Sequence, residues 1–205
     1  LPGVIEVRRN EGGIRTWAAQ PGDYYHSFTG EYGGLWRNQG RAPQQILGTG
    51  FTAQGFDISA PYQRLPDSFN ARAQFIFDGV KKDELIGDFG LIGDGAAGLE
   101  LDRADPALGT PPHALVLATS QGRHTDLYLV VPEELLATVP GLGGSETNFV
   151  SADMDFYETP NSGAVWSSGS IAWSGSLSHN GYDNNVARIT GNILKRFLDP
   201  KPLVK

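Results

Sequence analysis

Apolar positions along the chain fall mostly into short alternating runs bounded by glycine and proline. One stretch near the end departs from that pattern. Between residues 183 and 198, Val186, Ile189, Ile193, Leu194 and Phe197 recur at the spacing of one helical face. Asp183 or Asn184 caps the start of this predicted helix, Lys195 and Arg196 occupy its last turn, and Pro200 stops it. Gly191 inside it costs about 1 kcal/mol relative to alanine, which predicts a second backbone packed close by. The remaining pattern predicts strands. "VIEVRR" and "IRTW" on either side of Glu11-Gly12-Gly13 read as a hairpin. Residues 71–80 alternate Ala71, Ala73, Phe75 and Phe77 and read as a strand, as do 113–119 and 125–131. "TNFVSADMDFYE" and "GAVWSSGSIAW" are two further strands. Pro132 with Glu133 and Glu134 opens a short helix. Residues 21–70 show no sustained period, and no internal repeat or clear linker interrupts the chain. The pattern as a whole is a mixed α/β domain.

Composition narrows this picture. The chain has 205 residues, 40% hydrophobic and 19% charged, which is globular and ample for a core. Twenty-seven glycines and 13 prolines match many turns. A net charge of −7 argues against nucleic acid or an anionic membrane as partner. Apolar runs reach only about five residues, as in 114–118, against roughly 20 for a membrane span. Cysteine is absent, which excludes disulfides and thiolate metal sites and fits a reducing, cytoplasmic location. The first residues, "LPGVIEVRR", lack a starting methionine and a signal-peptide order, so the chain reads as a piece of a longer protein.

Several candidate motifs dissolve on inspection. Gly93 to Gly98 matches G-x-G-x-x-G, but Pro106 follows too soon for the helix a dinucleotide needs, and Asp94 would repel phosphate. A glycine turn is the better reading. His26, His113, His124 and His179 form no helical pair, and His113 reads as a strand-edge side chain. The serines of "WSSGSIAWSGSLS" lack nucleophile-elbow spacing and fit hydrogen-bonding roles. Two carboxylates hold more interest. Glu31 lies between Gly30 and Tyr32-Gly33-Gly34, where metal or substrate can approach closely. Glu158 lies where a strand ends, the place ligands occupy in α/β sheets. Each is either a metal ligand or general base, or a solvated or capping acid.

"YYHSFTGEYGGLWR", "GFTAQGFD", "ELIGDFGLIGDGAAGLELDRAD", "LGTPPHALVLATS" and "VWSSGSIAWSGSLSHNGYDNNVARITGNILKRFLDP" together resemble the large (β) subunit of N,N-dimethylformamidase, over most of the chain. That resemblance implies the C-terminal half of a glutamine-amidotransferase-like core carrying a β-rich insert. On this division residues 1–39 belong to the core with the Glu31 loop, 40–112 to the insert, and 113–205 to the closing strands and helix. It further implies an amidohydrolase that converts dimethylformamide to dimethylamine and formate at a mononuclear non-haem iron. The iron is expected on two tyrosines and one glutamate, a hard-oxygen set suited to ferric iron.

Glu31 best matches that glutamate, with His26 and Glu158 as the acid–base residues. Tyr24 and Tyr25 are too near Glu31 to be the tyrosine ligands, which are expected outside this chain. The expected partners are therefore a small amide, the preceding part of the large subunit and a small subunit, with activity absent from this piece alone. Phe28, Trp36 and Trp173 either wall a pocket for the N-methyl groups or pack in the core. The rival readings are a non-catalytic β-rich binding or assembly module, and a metal-free amidotransferase-like binding domain. Missing cysteine excludes a thiol nucleophile from the latter.

Overall fold

The computed structural model describes Trp36, residues 40–130 and residues 142–203. His26, Glu31, Phe28, the predicted 4–17 hairpin and the predicted helix from Pro132 lie outside the described residues.

Among the described residues there are two antiparallel sheets and three α-helices. α1 (Gln44–Leu47) leads into β1 (Thr49–Gln54), followed by β2 (Gln63–Arg64), β3 (Glu100–Ala104), β4 (Leu115–Thr119) and β5 (Leu129–Val130). β6 (Asp153–Glu158) and β7 (Ala164–Ser167) precede α2 (Ala172–Ser176) and α3 (Asn185–Leu198). One sheet has the order β3-β1-β5, the other β2-β4-β6-β7, and every pair is antiparallel. Both sheets take strands from either side of residue 112. They are joined where Leu101 bridges Ser170 and the Asp102 amide donates to the Gly169 carbonyl at 2.8 Å.

β6 organises the middle of the molecule. All six of its residues are buried. By strand alternation Met154 and Phe156 share one face while Asp153, Asp155 and Tyr157 share the other. The apolar face packs toward the 74–77 segment, with Phe75 meeting Phe156 edge-on at 5.6 Å. α3 lies over that same segment, burying Val186, Ile189 and Ile193, and Asn192 Nδ2 donates to the Ile76 carbonyl at 3.1 Å.

α3 begins and ends as its sequence signals. The Asn184 side chain accepts from the Ala187 amide at 2.8 Å, and Lys195 and Arg196 stand in the last turn. Gly191 differs from expectation. A Cβ there would meet nothing within 4 Å among the described residues, so none of their backbone packs against it. Leu194 and Phe197, counted on the apolar stripe, are exposed.

Residues 71–80 are not a strand. Gln74–Phe77 form a 3-10 turn, and the buried residues are Ala73, Ile76 and Phe77 rather than every second one. The Asn70 side chain accepts from the Arg72 amide, and Gly79 has φ +75°, so the chain is coiled at both ends of this stretch. Alternating aromatics imitated a strand period here. The expected strands at 125–131 and 163–173 are shorter than predicted. Thr125 Oγ1 accepts from the Leu127 amide in a turn before β5. Past β7, Gly169 takes φ +78°, and a Cβ on it would come within 2.3 Å of the Asp153 carbonyl. That close turn delivers the chain into α2 instead of extending the strand.

The Gly93–Gly98 segment is a turn, as read from sequence. Gly93 and Asp94 both have positive φ, and the chain runs on into β3 rather than a helix.

Candidate functional site

Glu158 closes β6 and is almost fully buried, its side chain 2% exposed. An unpaired carboxylate at that depth would cost several kcal/mol. The turn that misled the strand prediction supplies the compensation. Arg72, held at the start of that turn, donates from Nε to Oε1 at 3.0 Å and to Oε2 at 3.1 Å, and its Nη2 also pairs closely with Oε2.

The clasp extends to His113. Arg72 Nη2 donates to the His113 carbonyl at 3.0 Å, while His113 Nε2 lies 3.0 Å from the Glu158 carbonyl. A carbonyl only accepts, so Nε2 carries the proton in this arrangement. The ring meets Tyr157 edge-on at 5.6 Å. Burial opposes ionisation of Glu158, but the Arg72 hydrogen bonds, the residue's own amide and the charges of Arg72 and His113 outweigh it. Its carboxyl stays below the usual glutamate range. Glu158 is thus an oriented anion, and for it to take up a proton the guanidinium must first be displaced. Because the sheet is antiparallel, the argument that placed a ligand at the ends of parallel strands does not apply to this position.

The opposite face of β6 carries buried acids. Asp153 accepts from the Ala104 amide at 3.0 Å and from Thr119 Oγ1 at 2.6 Å, and burial raises its pKa despite these partners and Arg103. Asp155 is fully buried, and neither of its oxygens closes a hydrogen bond among the described residues. Burial pushes it to about 7, with nearby Ser167 opposing and Asp153 adding to the rise. On β3, burial and the charge of Glu100 raise Asp102 to about 6. No group of three or more His, Asp or Glu side chains among the described residues is arranged to hold a metal ion.

Other sequence candidates resolve individually. Trp173 is core: its ring meets Tyr62 and Trp166 edge-on, and its Nε1 donates to Thr190 Oγ1 at 3.1 Å. Trp36 is half exposed, and its carbonyl accepts from the Arg41 amide. His124 pairs with Ser120, at 2.7 Å between Nε2 and Oγ, and burial lowers its pKa to about 4. The serines at the end of β7 and beyond it brace the chain, with Ser167 Oγ donating to the Leu47 carbonyl and Ser170 Oγ to that of Gly98. Sequence reasoning missed Arg72 as the partner of Glu158, since 86 residues separate them. It also passed over the Asp-x-Asp pattern of β6, whose alternation is the signal for two acids on one face.

These residues define a mixed protein of helices and antiparallel sheets, with an arginine–glutamate clasp on one side of its central strand and buried aspartates on the other. The chain belongs to the family described as N,N-dimethylformamidase beta subunit-like, C-terminal, which it matches over residues 2–184. It is 48% identical over 205 residues to the N,N-dimethylformamidase beta subunit of Paracoccus aminophilus, covering 99% of this chain and 27% of that protein. It is 46% identical over 201 residues to the subunit of the same name from an Alcaligenes species, covering 98% of this chain and 26% of that one. The chain therefore spans about a quarter of the length of these relatives. No helix among the described residues is long and apolar enough to cross a membrane.

Proposed function

We propose that this chain is the C-terminal part of a dimethylformamidase-type large subunit that hydrolyses a small linear amide, dimethylformamide being the model substrate. The observation that carries this reading is near-half identity across almost the whole chain to two subunits of that name. In this reading Glu31 contributes a carboxylate to a mononuclear non-haem iron, completed by two tyrosines outside the chain, and the glutamine-amidotransferase-like core is assembled with that preceding part. A carboxylate flanked by glycine is a hard-oxygen donor that a cation can approach without steric hindrance, which fits ferric iron. Bound there, iron would act as a Lewis acid toward the amide carbonyl or the attacking water.

The residues of this chain then hold and move protons. His26, near Glu31 in sequence, accepts the proton of the attacking water and returns it to the departing amine. Glu158 takes the distant acid–base role, in which Arg72 must first move off the carboxylate that it otherwise keeps ionised and oriented. The name beta subunit favours assembly with a second kind of chain. Glu31→Ala in the iron-loaded, amide-hydrolysing protein tests the assignment: iron and release of dimethylamine are both expected to be lost. Stoichiometric iron retained in that variant overturns it.

A further inference from the structure

The α1–β1 junction rests on the polar face of β6 in a way the hydrolytic reading does not use. The last carbonyls of α1 are all held from outside the helix. The Tyr157 hydroxyl donates to the Ile46 carbonyl, Ser167 Oγ to that of Leu47 at 2.6 Å, and Thr110 Oγ1 to that of Gly48 at 2.6 Å. Beneath them lies Asp155, so near Gly48 that a Cβ on the glycine would stand 1.5 Å from Oδ2. Gln44, the buried residue of α1, has an Oε1 that closes no hydrogen bond among the described residues.

The charges around Asp155 offer it no cation among the described residues. On its own strand stand the Asp153 carboxyl and the Tyr157 phenol, whose ionisation burial and Asp155 both disfavour. β3 brings Asp102, and Arg103, which acts on Asp153 and is itself paired with Asp105 at 2.7 Å. β7 brings the Ser167 amide and hydroxyl, which favour the anion but are outweighed by burial, and α1 brings the neutral Gln44. An ionised carboxylate with no cation beside it among the described residues and only Ser167 as a nearby donor is costly at this depth, whereas the neutral acid is tolerated.

We propose that the seam between α1 and β6 is a proton-operated latch: Asp155 is neutral while α1 is docked, and its ionisation releases the Gln44–Gly48 turn from the sheet. Burial, which holds the folded Asp155 proton to about neutrality, sets the range in which the latch works. An opened α1 returns the carboxyl to water, where it ionises at an ordinary aspartate pKa of about 3.9. Opening therefore releases a proton. The open fraction grows about tenfold per pH unit from roughly pH 4 to 7 and levels off above that.

Amide hydrogen exchange on the whole chain between pH 5 and 8.5 tests this. The reporters are the Leu47 and Gly48 amides, bonded to Pro43 and Gln44 carbonyls at 2.8 and 3.1 Å. After correction for intrinsic chemistry, their opening is expected to rise about tenfold per unit to pH 7 and then flatten. The Ile189 and Ile193 amides of α3 should not share that slope, and Asp155→Asn should abolish it. A pH-independent opening in the wild type, a slope shared by α3, or the same slope in Asp155→Asn overturns the latch. If the variant fails to fold, a carbon-13 titration of the Asp155 carboxyl in the wild type decides. A midpoint near neutrality supports the latch, and a carboxyl already ionised at pH 5 overturns it.

Discussion

Arg72 grips Glu158 through both carboxylate oxygens, with Nε 3.0 Å from Oε1 and 3.1 Å from Oε2, and so ties the 70–79 turn to the end of β6. Arg72→Ala leaves that carboxylate buried without its cation. The expected loss is about 2–3 kcal/mol, at or just below the roughly 3–5 kcal/mol of fully buried pairs because the arginine is partly exposed. Arg72→Lys keeps the charge but loses the planar fork, and should fall between the two. Urea unfolding measures both, and an alanine variant as stable as wild type refutes the clasp.

Two glycines predict opposite signs. Gly48 has φ +80° and sits against Asp155, so Gly48→Ala meets both backbone strain and a clash and should cost more than about 1 kcal/mol. Gly191 lies in α3 with open space toward the described residues, so Gly191→Ala should stabilise by about 0.5–1 kcal/mol. Thermal melts of the two variants check the pair, and a destabilised Gly191→Ala would show that the helix surface is covered.

His124 gives a pH prediction. Burial holds its folded pKa to about 4, below the ordinary value of 6.5. Between those values the unfolded chain binds a proton that the folded one refuses, so this residue makes stability fall as pH drops from about 6.5 to 4. Asp102, raised to about 6, works the other way: its contribution is present at low pH and is lost as pH rises through 6. His124→Gln removes only the first effect. The stability of wild type relative to that variant should decline by up to about 1.4 kcal/mol per pH unit on acidification. Parallel unfolding curves for the two proteins from pH 6.5 to 4.5 contradict this.

What the sequence made legible follows from which forces are local. α3 was readable because its cap, its last-turn cations and its Val186–Ile189–Ile193 stripe all lie within 15 residues or so of one another. β4 was readable because a continuous apolar run has few other uses. The 74–77 turn was not, since its aromatic alternation fits a strand until Gly79 and the Asn70 side chain coil the backbone. The Arg72–Glu158 clasp and the Asp155–Gly48 contact join positions far apart in sequence, and no local period reports them. Glu158 was identified as a position of interest, but the geometry supplied its partner and its charge state. His26 and Glu31 lie outside the described residues, so the roles proposed for them rest on the sequence resemblance.

The most direct test is elemental analysis of the protein as its host makes it, paired with its intact mass. The account predicts close to one iron per large subunit, in a chain well above the 22.1 kDa of these 205 residues, since the tyrosine ligands are placed beyond them. A protein of 22.1 kDa holding no iron contradicts it and favours a non-catalytic binding or assembly module.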